Sequence, residues 1–414
     1  MMRPSGPVRT YGTLAARCAC LLLLGVGLML SGCASGSLTR ARDAFYSGDA
    51  ARASEALADP ENVGSRDRLL YYMEKGVILH HSGDYQGSAD ILLDASELIR
   101  EQDIIRAGQQ AASLVTSEWL MDYKGEYAER LLVHTYLMMN FLMLGNHESA
   151  LVEAKQALEV YDTYPEACDG DYFTRALIAH CFEAVGEING AYIEYKKLAG
   201  VMGDPGPVAR KLVDLGNRLG FDDEVAHFRQ FLSEPESGTQ ERPTGEAIVF
   251  LSRGRAPVKV PQNIVLPPSI RFSFVTYEDR GGYFPSPGVG PLAGLREADR
   301  VTTDVGAVLR TSLNQRLVQV IAKETARVAA KEAIAHNVKN DNLELLVRIA
   351  FFLMEVPDTR CWETLPGSLT LIRAPLFPGE NPLPFNGPGK TITLPGADAP
   401  SDRRPFYQYY SIRQ

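Results

Sequence analysis

Three residues in the second half of the chain, Asp358, Arg360 and Trp362, carry side chains that could act together. They alternate along the chain, so in an extended segment all three lie on one face. On that face the tryptophan ring could stack on the guanidinium while the carboxylate pairs with it. The pattern favours a structural clamp that fastens the segment to the protein core. The alternative is a ligand-binding site.

A second set of charged residues repeats at helical spacing. Arg316, Lys323, Arg327 and Lys331 stand at i, i+7, i+11 and i+15, so they form one basic stripe on a helix. The stripe favours a solvated helix face that pairs with neighbouring glutamates. The alternative is a site for an anionic ligand or an acidic partner.

The sequence gives little support for a catalytic site. As a nucleophile Cys361 would need a base, and His336 is the one histidine after residue 233. Neither G-x-S-x-G nor H-E-x-x-H occurs. Residues 387–391 differ from a phosphate-binding loop because Pro384 stands where a glycine is required. We therefore predict no catalytic residues, with an envelope hydrolase or transferase as the weaker alternative.

Metal and cofactor sites are not expected either. His80 and His81 are neighbours, so in a helix their rings point about 100° apart. No Cys or His partner stands at the spacing of a zinc site. We expect both histidines to be solvated at the edge of a loop.

The elements that position these residues form an α+β domain at residues 246–414. Short apolar segments at 245–251, 270–277, 368–373, 391–394 and 407–412 predict strands. Apolar periodicity predicts a long helix from 304 to about 336 and another at 341–354. The apolar face of the long helix comprises Val308, Leu309, Leu313, Leu317, Val320, Ile321, Val328 and Ala329. Residues 233–245 are polar and rich in Pro, Gly and Glu, so they read as a linker.

Residues 38–232 read as amphipathic helices arranged in repeats. A glycine followed five positions later by a small or β-branched residue recurs at Gly48/Ala53, Gly83/Ser88, Gly145/Ala150, Gly186/Ala191 and Gly220/Val225. The intervals between these glycines are 35, 62, 41 and 34 residues. The first and the last fit the tetratricopeptide repeat. The long interval leaves the repeat count open, because it contains a further helix pair around Trp119 and Tyr127.

Such repeats predict a right-handed stack of helix pairs that cover one another. The stack presents a concave surface that binds peptides or protein segments. A stalk or a dimer surface is the alternative interpretation. The predicted fold class is therefore a multidomain chain, with an all-α tetratricopeptide-like solenoid followed by the α+β domain.

The N-terminal 32 residues have the order of a secretory signal. Arg3, Arg9 and Arg17 precede an apolar run at residues 21–30. The run ends in Leu-Ser-Gly-Cys33, which resembles the lipobox of bacterial lipoproteins. Residues 1–32 are thus a predicted signal peptide, and residues 33–37 a lipidated linker. An uncleaved signal anchor is the alternative.

Lipidation of Cys33 is what the lipobox resemblance implies. The cysteine would receive a diacylglycerol thioether and an N-acyl chain, and several buried acyl chains give durable membrane attachment. The next residue is Ala34 rather than the Asp that marks inner-membrane retention in many such bacteria. We therefore expect an outer-membrane lipoprotein that faces the periplasm.

The net charge of the chain argues against nucleic acid as a partner. The chain of 414 residues has a net charge of −9, and loss of residues 1–32 removes three arginines and no acidic residue, which gives −12. Binding to nucleic acid needs clustered Lys and Arg, so we expect none. Cys168, Cys181 and Cys361 remain in the processed chain besides Cys33, and we predict no disulfide framework.

Three stretches together resemble a family of uncharacterised proteobacterial lipoproteins with tetratricopeptide-like repeats and a C-terminal domain. They are residues 123–130 continuing to 145–154, residues 245–250 with Pro257 and Lys259, and residues 358–366. Family members usually have a small residue such as Ser at the position of Cys361. The resemblance implies no assigned reaction. The family's usual gene neighbours are lipoproteins that activate penicillin-binding proteins, which implies a role in envelope or peptidoglycan assembly.

The sequence thus predicts a lipid-anchored periplasmic scaffold without enzymatic activity or cofactor. Its expected partners are envelope proteins, among them other lipoproteins or regulators of peptidoglycan synthesis. The alternative is an oligomeric subunit of an export or surface-assembly complex.

Overall fold

The computed structural model describes residues 36–106, 121–232, 245–266, 270–280, 300–337, 341–354, 356–376, 381–384, 391–394 and 406–414. Cys33 and the signal segment lie outside these ranges, as do Trp119, residues 233–244 of the linker, and residues 387–390. Lipidation, processing and the linker therefore remain predictions.

Ten α-helices in the described part of the first half form five consecutive pairs. The first helices of the pairs are α1 (Gly36–Tyr46), α3 (Arg68–Ser82), α5 (Tyr127–Met143), α7 (Tyr172–Ala184) and α9 (Gly206–Leu219). The second helices are α2 (Ala50–Ala56), α4 (Tyr85–Arg106), α6 (His147–Thr163), α8 (Ile188–Val201) and α10 (Asp222–Arg229). Short 3₁₀ helices occupy Pro60–Asn62, Ser65–Asp67 and Glu166–Cys168. The two helices of each pair pack together, and each pair packs on the next.

A glycine in the left-handed backbone conformation follows the first helix of every pair. The φ angles of these glycines lie between 71° and 84°, a region that other residues rarely adopt. The residue five positions later is buried in each case. These are the glycines that the repeat pattern identifies: Gly48, Gly83, Gly145, Gly186 and Gly220. The prediction of tetratricopeptide-like helix pairs is confirmed.

Close contact between paired helices also explains a glycine within a helix. A Cβ atom at Gly76 of α3 would lie 2.5 Å from the side chain of Leu92 on α4. The missing side chain therefore lets the two helices approach each other. At the far end of the stack, Gly216 of α9 faces Val225 of α10 in the same way, with a hypothetical Cβ 2.7 Å from the valine.

The second half adds strands and two helices. The strands are β1 (Gly245–Arg253), β2 (Val258–Leu266), β3 (Ile270–Glu278), β4 (Arg300–Asp304), β5 (Ser368–Leu376), β6 (Asn381–Pro384), β7 (Thr391–Leu394) and β8 (Tyr407–Arg413). The helices are α11 (Val305–His336) and α12 (Asp341–Met354). All five predicted strands and both predicted helices are present. The sequence pattern missed β2, β4 and β6.

A four-stranded mixed sheet has the order β4-β5-β1-β8. β1 is antiparallel to β5 and parallel to β8, and β4 is antiparallel to β5. Ile248 stands opposite both Arg373 and Tyr409, so these three side chains share one face of the sheet. Two further antiparallel pairs, β2 with β3 and β6 with β7, complete the described strands.

One hydrophobic core connects the sheet with the helix pairs. Ile248, Phe250 and Leu371 belong to the same buried cluster as the interior residues of the helices. The rings of Phe250 and Phe173 on α7 pack edge to face, 6.4 Å apart. The second half was expected to be a separate domain, but the described residues of the two halves share this core. The reason is that the sheet packs on the first helices of the pairs.

Helix α11 is buried over only part of its length. Val308, Leu309 and Leu313 belong to the core, whereas Ile321 and Ala329 are exposed. The prediction of a buried apolar face is therefore wrong at Ile321 and Ala329, whereas Val328 is half-buried. The side chains of Leu317 and Val320 lie outside those described. No described helix is both long and apolar enough to cross a membrane.

Candidate functional site

The first helices of the five pairs form one side of the stack, which we call the inner side. A repeat stack offers such a side to partners as its concave surface. Here β4, β5 and β8 pack against it through α3, α5, α7 and α9. The chain's own sheet thus occupies the surface that the sequence analysis assigned to partner proteins.

At α7 the contact between sheet and inner side is made by buried charges. Arg373 of β5 donates to Glu183 of α7 at 2.9 Å and to Glu246 of β1 at 2.7 Å. Lys211 of α9 donates to the same two carboxylates at 3.0 and 2.8 Å. Two cations and two anions therefore neutralise each other, and Tyr407 of β8 adds a hydrogen bond to Glu183 at 3.0 Å.

The pKa shifts in this cluster follow its geometry. Burial alone would raise the pKa of Glu183 and Glu246, but Arg373 and Lys211 outweigh burial. The pKa of Glu183 lies well below its ordinary value, and that of Glu246 falls to about 2. Both carboxylates are thus ionised at neutral pH, which keeps Arg373 paired.

Buried histidines hold β8 from the helical side. His80 on α3 contacts Asn140 through Nδ1 at 2.6 Å and Ser411 of β8 through Nε2 at 2.7 Å. An amide oxygen can only accept, so Nδ1 donates and Nε2 accepts from the serine hydroxyl. His180 of α7 contacts the hydroxyl of Tyr409 at 3.1 Å. The expectation that His80 is solvated was wrong, because β8 covers it.

Burial lowers the pKa of both His80 and His180 to about 4. Protonated rings would lose one hydrogen bond acceptor each and place a positive charge in the core. At neutral pH both rings are uncharged and fit the hydroxyl groups of β8.

A second buried ion cluster lies at the start of α5. Lys259 of β2 donates to Glu126 at 2.6 Å, and Arg316 of α11 donates to the same oxygen at 3.1 Å. Burial would raise the pKa of Glu126, but the two cations hold it at about 2. Arg316, the first residue of the predicted basic stripe, thus pairs with a glutamate from the helical half. The side chains of Lys323, Arg327 and Lys331 lie outside those described, so the rest of the stripe remains a prediction.

Two buried glutamates bind the backbone of the segment at residues 361–364. Glu129 accepts from the amide of Trp362 at 2.8 Å and from the hydroxyl of Tyr123 at 2.6 Å. Glu74 of α3 accepts from the amides of Glu363 and Thr364 at 2.9 and 3.1 Å. These carboxylates satisfy donors that would otherwise be buried without partners.

Arg360 fastens the same segment, although with a different aromatic neighbour from the one expected. Its guanidinium contacts Asp358 at 2.7 Å and Asp67 of the first half at 2.8 Å. It stacks on Tyr123, 5.4 Å from the ring centroid, and not on Trp362. The indole of Trp362 is buried against Tyr136, at a centroid separation of 5.8 Å. The geometry is that of a clamp between the two halves.

Cys361 is buried within this segment. The amide of Lys259 donates to its sulfur at 3.5 Å, and burial raises the pKa of the thiol to about 12. A thiol of this kind is protonated at neutral pH and is a poor nucleophile. Cys168 and Cys181 are buried free thiols as well.

Glu74, Glu129 and Lys259 were not predicted as contact residues. Lys259 stands between Val258 and Val260, and Glu74 follows a run of apolar residues, so a charge in an apolar segment could have identified these two. Glu129 lies between Glu126 and Arg130 and gives no such signal. Lys259 and Glu129 come from two of the stretches that carry the family resemblance, and Trp362 from the third. The fold brings these stretches together.

A different surface projects from the second half. The β2–β3 hairpin touches α12 where Arg271 donates to the carbonyl of Phe352 and stacks on its ring at 5.3 Å. On the hairpin side of this contact Val265 is 58% exposed, and on the helix side Leu345 and Ile349 are 58% and 43% exposed. We call these three residues together with Leu346, which is 40% exposed, the apolar tip. Exposed large apolar side chains in one region mark an interaction surface.

Metal binding has no ready-made site in the described residues. No cluster of three or more His, Cys, Asp or Glu side chains there could hold an ion.

Comparisons with known proteins give only distant similarity. No protein-family model and no curated protein matches the chain. Among solved structures, MamA of AMB-1 is 13% identical and aligns with 49% of this chain and 92% of its own, with a TM-score of 0.33. The TPR-like repeats of a putative kinesin light chain of Podosopora anserina are 12% identical over 47% of this chain and 91% of theirs, with a TM-score of 0.35.

The apo form of RapI is 10% identical over 47% of this chain and 51% of its own, with a TM-score of 0.36. TM-scores below 0.5 carry no argument about function. The assignment to the tetratricopeptide-like class therefore rests on the helix pairs, their glycines and their order.

Proposed function

We propose that the protein is a scaffold that binds protein partners at the cell envelope through its apolar tip. The proposal rests on the difference between two surfaces of the molecule. The inner side of the stack is filled by the chain's own sheet, whereas the tip exposes large apolar side chains from a hairpin and a helix. A partner with an apolar surface would cover the tip.

The cellular setting of this proposal rests on the sequence. Lipidation at Cys33 would tether the scaffold to the outer membrane, with its folded part in the periplasm. Its partners would be envelope proteins, including other lipoproteins or regulators of peptidoglycan synthesis. No enzymatic step and no cofactor belongs to the proposal.

The partner surface is tested by site-specific photo-crosslinking in intact cells. A crosslinker replaces Leu345 of the tip in one variant and Val152 of α6 in a control variant. The two residues have similar exposures, 58% and 56%, but Val152 lies on a second helix of a pair, away from the tip. We expect discrete protein adducts from position 345 and none of the same mass from position 152. Identical patterns from both positions would contradict the proposal.

The same experiment separates the two functional alternatives. Adducts with other envelope proteins support an adaptor, and adducts with a second copy of this chain support an oligomeric subunit. The apolar tip favours either outcome over a role for the filled inner side. Sedimentation of the detergent-solubilised protein then gives the size of the assembly.

The membrane tether has a test of its own. Labelled palmitate should be incorporated into the chain and lost in Cys33→Ser, while Cys168→Ser keeps the label. Incorporation that survives in Cys33→Ser would overturn the anchor but leave the partner surface untouched.

A further inference from the structure

Arg413 of β8 lies where sheet and helices meet. Its guanidinium stacks on Phe45 of α1, 4.0 Å from the ring centroid, and lies 5.2 Å from the ring centroid of Tyr46. Its hydrogen bond to the carbonyl of Thr364 is long, at 3.4 Å. Among the residues that the structure describes, no carboxylate forms an ion pair with Arg413. The half-buried guanidinium of Arg413 is thus a cation without a carboxylate beside it in the described residues, which leaves it free to pair with an anionic ligand.

Three further polar groups lie around Arg413. Ser252 of β1 is its partner in the strand register, the Tyr136 ring of α5 packs edge to face on His81 at 6.3 Å, and the charge of Arg413 acts on both Tyr136 and His81. The hydroxyls of Ser252 and Tyr136 lie near each other, but within the described part of the chain neither they nor the Nε2 atom of His81 has a hydrogen-bond partner with normal geometry. Both Ser252 and Tyr136 are fully buried. Groups of this kind are nearly always paired in folded proteins.

The chemistry of these groups narrows the ligand class. Serine, tyrosine and histidine can each donate a hydrogen bond, and an arginine has donors only. A single water accepts at most two hydrogen bonds and must also place its own two protons. An oxyanion offers several lone pairs and a negative charge, so it can accept from all of these groups while neutralising the guanidinium.

The surrounding side chains carry positive charge, which also favours an anionic ligand. Arg255 also stacks on Tyr46, with its guanidinium 4.1 Å from the ring centroid. Arg280 lies 5.0 Å from the same ring, but it is engaged with Glu363, at 3.7 Å. Three guanidinium groups thus surround one phenol ring, and the carboxylate of Glu363 is shared between Arg280 and Arg42.

We propose that Arg413, Tyr136, Ser252 and His81 form a binding site for a small oxyanion, a phosphate or a carboxylate. The ligand sits between β8 and the first helices α3 and α5. Because the site is built from both halves of the chain, the bound anion stabilises their contact. This site is independent of the apolar tip and of the scaffold function.

The test measures thermal unfolding and binding of the full chain in detergent. Inorganic phosphate and acetate are titrated in separate arms, each against sodium chloride at matched ionic strength. We expect phosphate, acetate or both to raise the unfolding midpoint in a saturable manner beyond chloride. Phosphate alone would indicate a phosphorylated ligand, and acetate alone a carboxylate. No saturable effect of either anion would overturn the site.

Two conservative variants locate the binding. Tyr136→Phe removes one donor and should weaken binding by about tenfold, the effect of losing one hydrogen bond to a charged group. The matched control is Tyr277→Phe, which removes another buried hydroxyl without a partner in the described residues, in the β2–β3 hairpin. Arg413→Gln should abolish saturable binding. Equal binding by the wild type, Tyr136→Phe and Arg413→Gln would overturn the assignment.

Discussion

The inner side of the helical stack and the apolar tip use their side chains in opposite ways. On the inner side, buried charges are matched one against another, as Arg373 is with Glu183 and Glu246. At the tip, large apolar side chains such as Leu345 remain exposed. A concave repeat surface therefore does not indicate where a partner binds when the chain's own sheet fills it. The surface left for a partner is the one that the fold does not cover.

The largest effect on stability should come from removing one charge from the buried ion cluster on the inner side. Arg373→Met leaves Glu183 and Glu246 with Lys211 as their remaining cation. We expect the free energy of unfolding to fall by about 3–5 kcal/mol, measured by urea denaturation. Arg310→Met is the control, because Arg310 pairs with an Asp279 that is 82% exposed and should cost about 0–1 kcal/mol. Equal losses in both variants would contradict the comparison.

The second effect concerns access to the inner side. The pKa of Cys361 rises from 9 to about 12, which lowers its thiolate fraction at neutral pH by about a thousandfold. We expect iodoacetamide to label Cys361 rapidly in urea and hardly at all in the folded protein, as followed by mass spectrometry. Rapid labelling of the folded chain would show that the segment at 361–364 opens and would revive the idea of a cysteine nucleophile.

A third effect, on pH dependence, should follow from the buried histidines. The folded chain keeps His80 and His180 neutral down to about pH 4, whereas the unfolded chain protonates them near pH 6.5. The unfolded state therefore binds more protons between these values, so stability is lost as the pH falls from 6.5 to 4. We expect a loss of up to about 3 kcal/mol per histidine.

The control for this pH dependence is the exposed His227 of α10. His227→Gln should leave the slope of stability against pH unchanged, whereas His80→Gln and His180→Gln should each flatten it. A slope that neither inner-side variant alters would exclude these rings as its source.

The smallest effect should come from the tip. Leu345→Ala should change the free energy of unfolding by about 0.5 kcal/mol or less, because the side chain is already exposed. Leu371→Ala, in the shared core, should cost about 2–5 kcal/mol. Comparable losses from both leucines would mean that the tip is structural and would weaken its assignment as a partner surface.

Local features of the fold were predictable from the sequence because they have local causes. The left-handed glycines such as Gly83 and the period of α5 are visible within a few residues of chain. Strand β4 escaped notice because it has only five residues and alternates buried with exposed positions in a polar context. Strand β2 contains Pro261, which is atypical of a strand.

The site was less predictable because it depends on contacts between distant residues. Nothing near Glu183 in the sequence indicates Arg373, and the pairing of Glu129 with the amide of Trp362 joins residues from different halves. The alternation of Asp358 and Arg360 did indicate a clamp, but the stacking ring comes from Tyr123, far away in the chain. A charged residue in an apolar segment indicates that another group of the protein pairs with it, but it does not indicate which group.

The parallel pairing of β1 with β8 also determines the order of events during folding. Glu246 stands opposite Tyr407, so the chain must be made as far as residue 407 before this pairing can begin. His80 and His180 contact β8 directly, so they lack these partners until the strand has paired. A chain in which β8 is unpaired therefore exposes part of the inner side, which the finished fold hides.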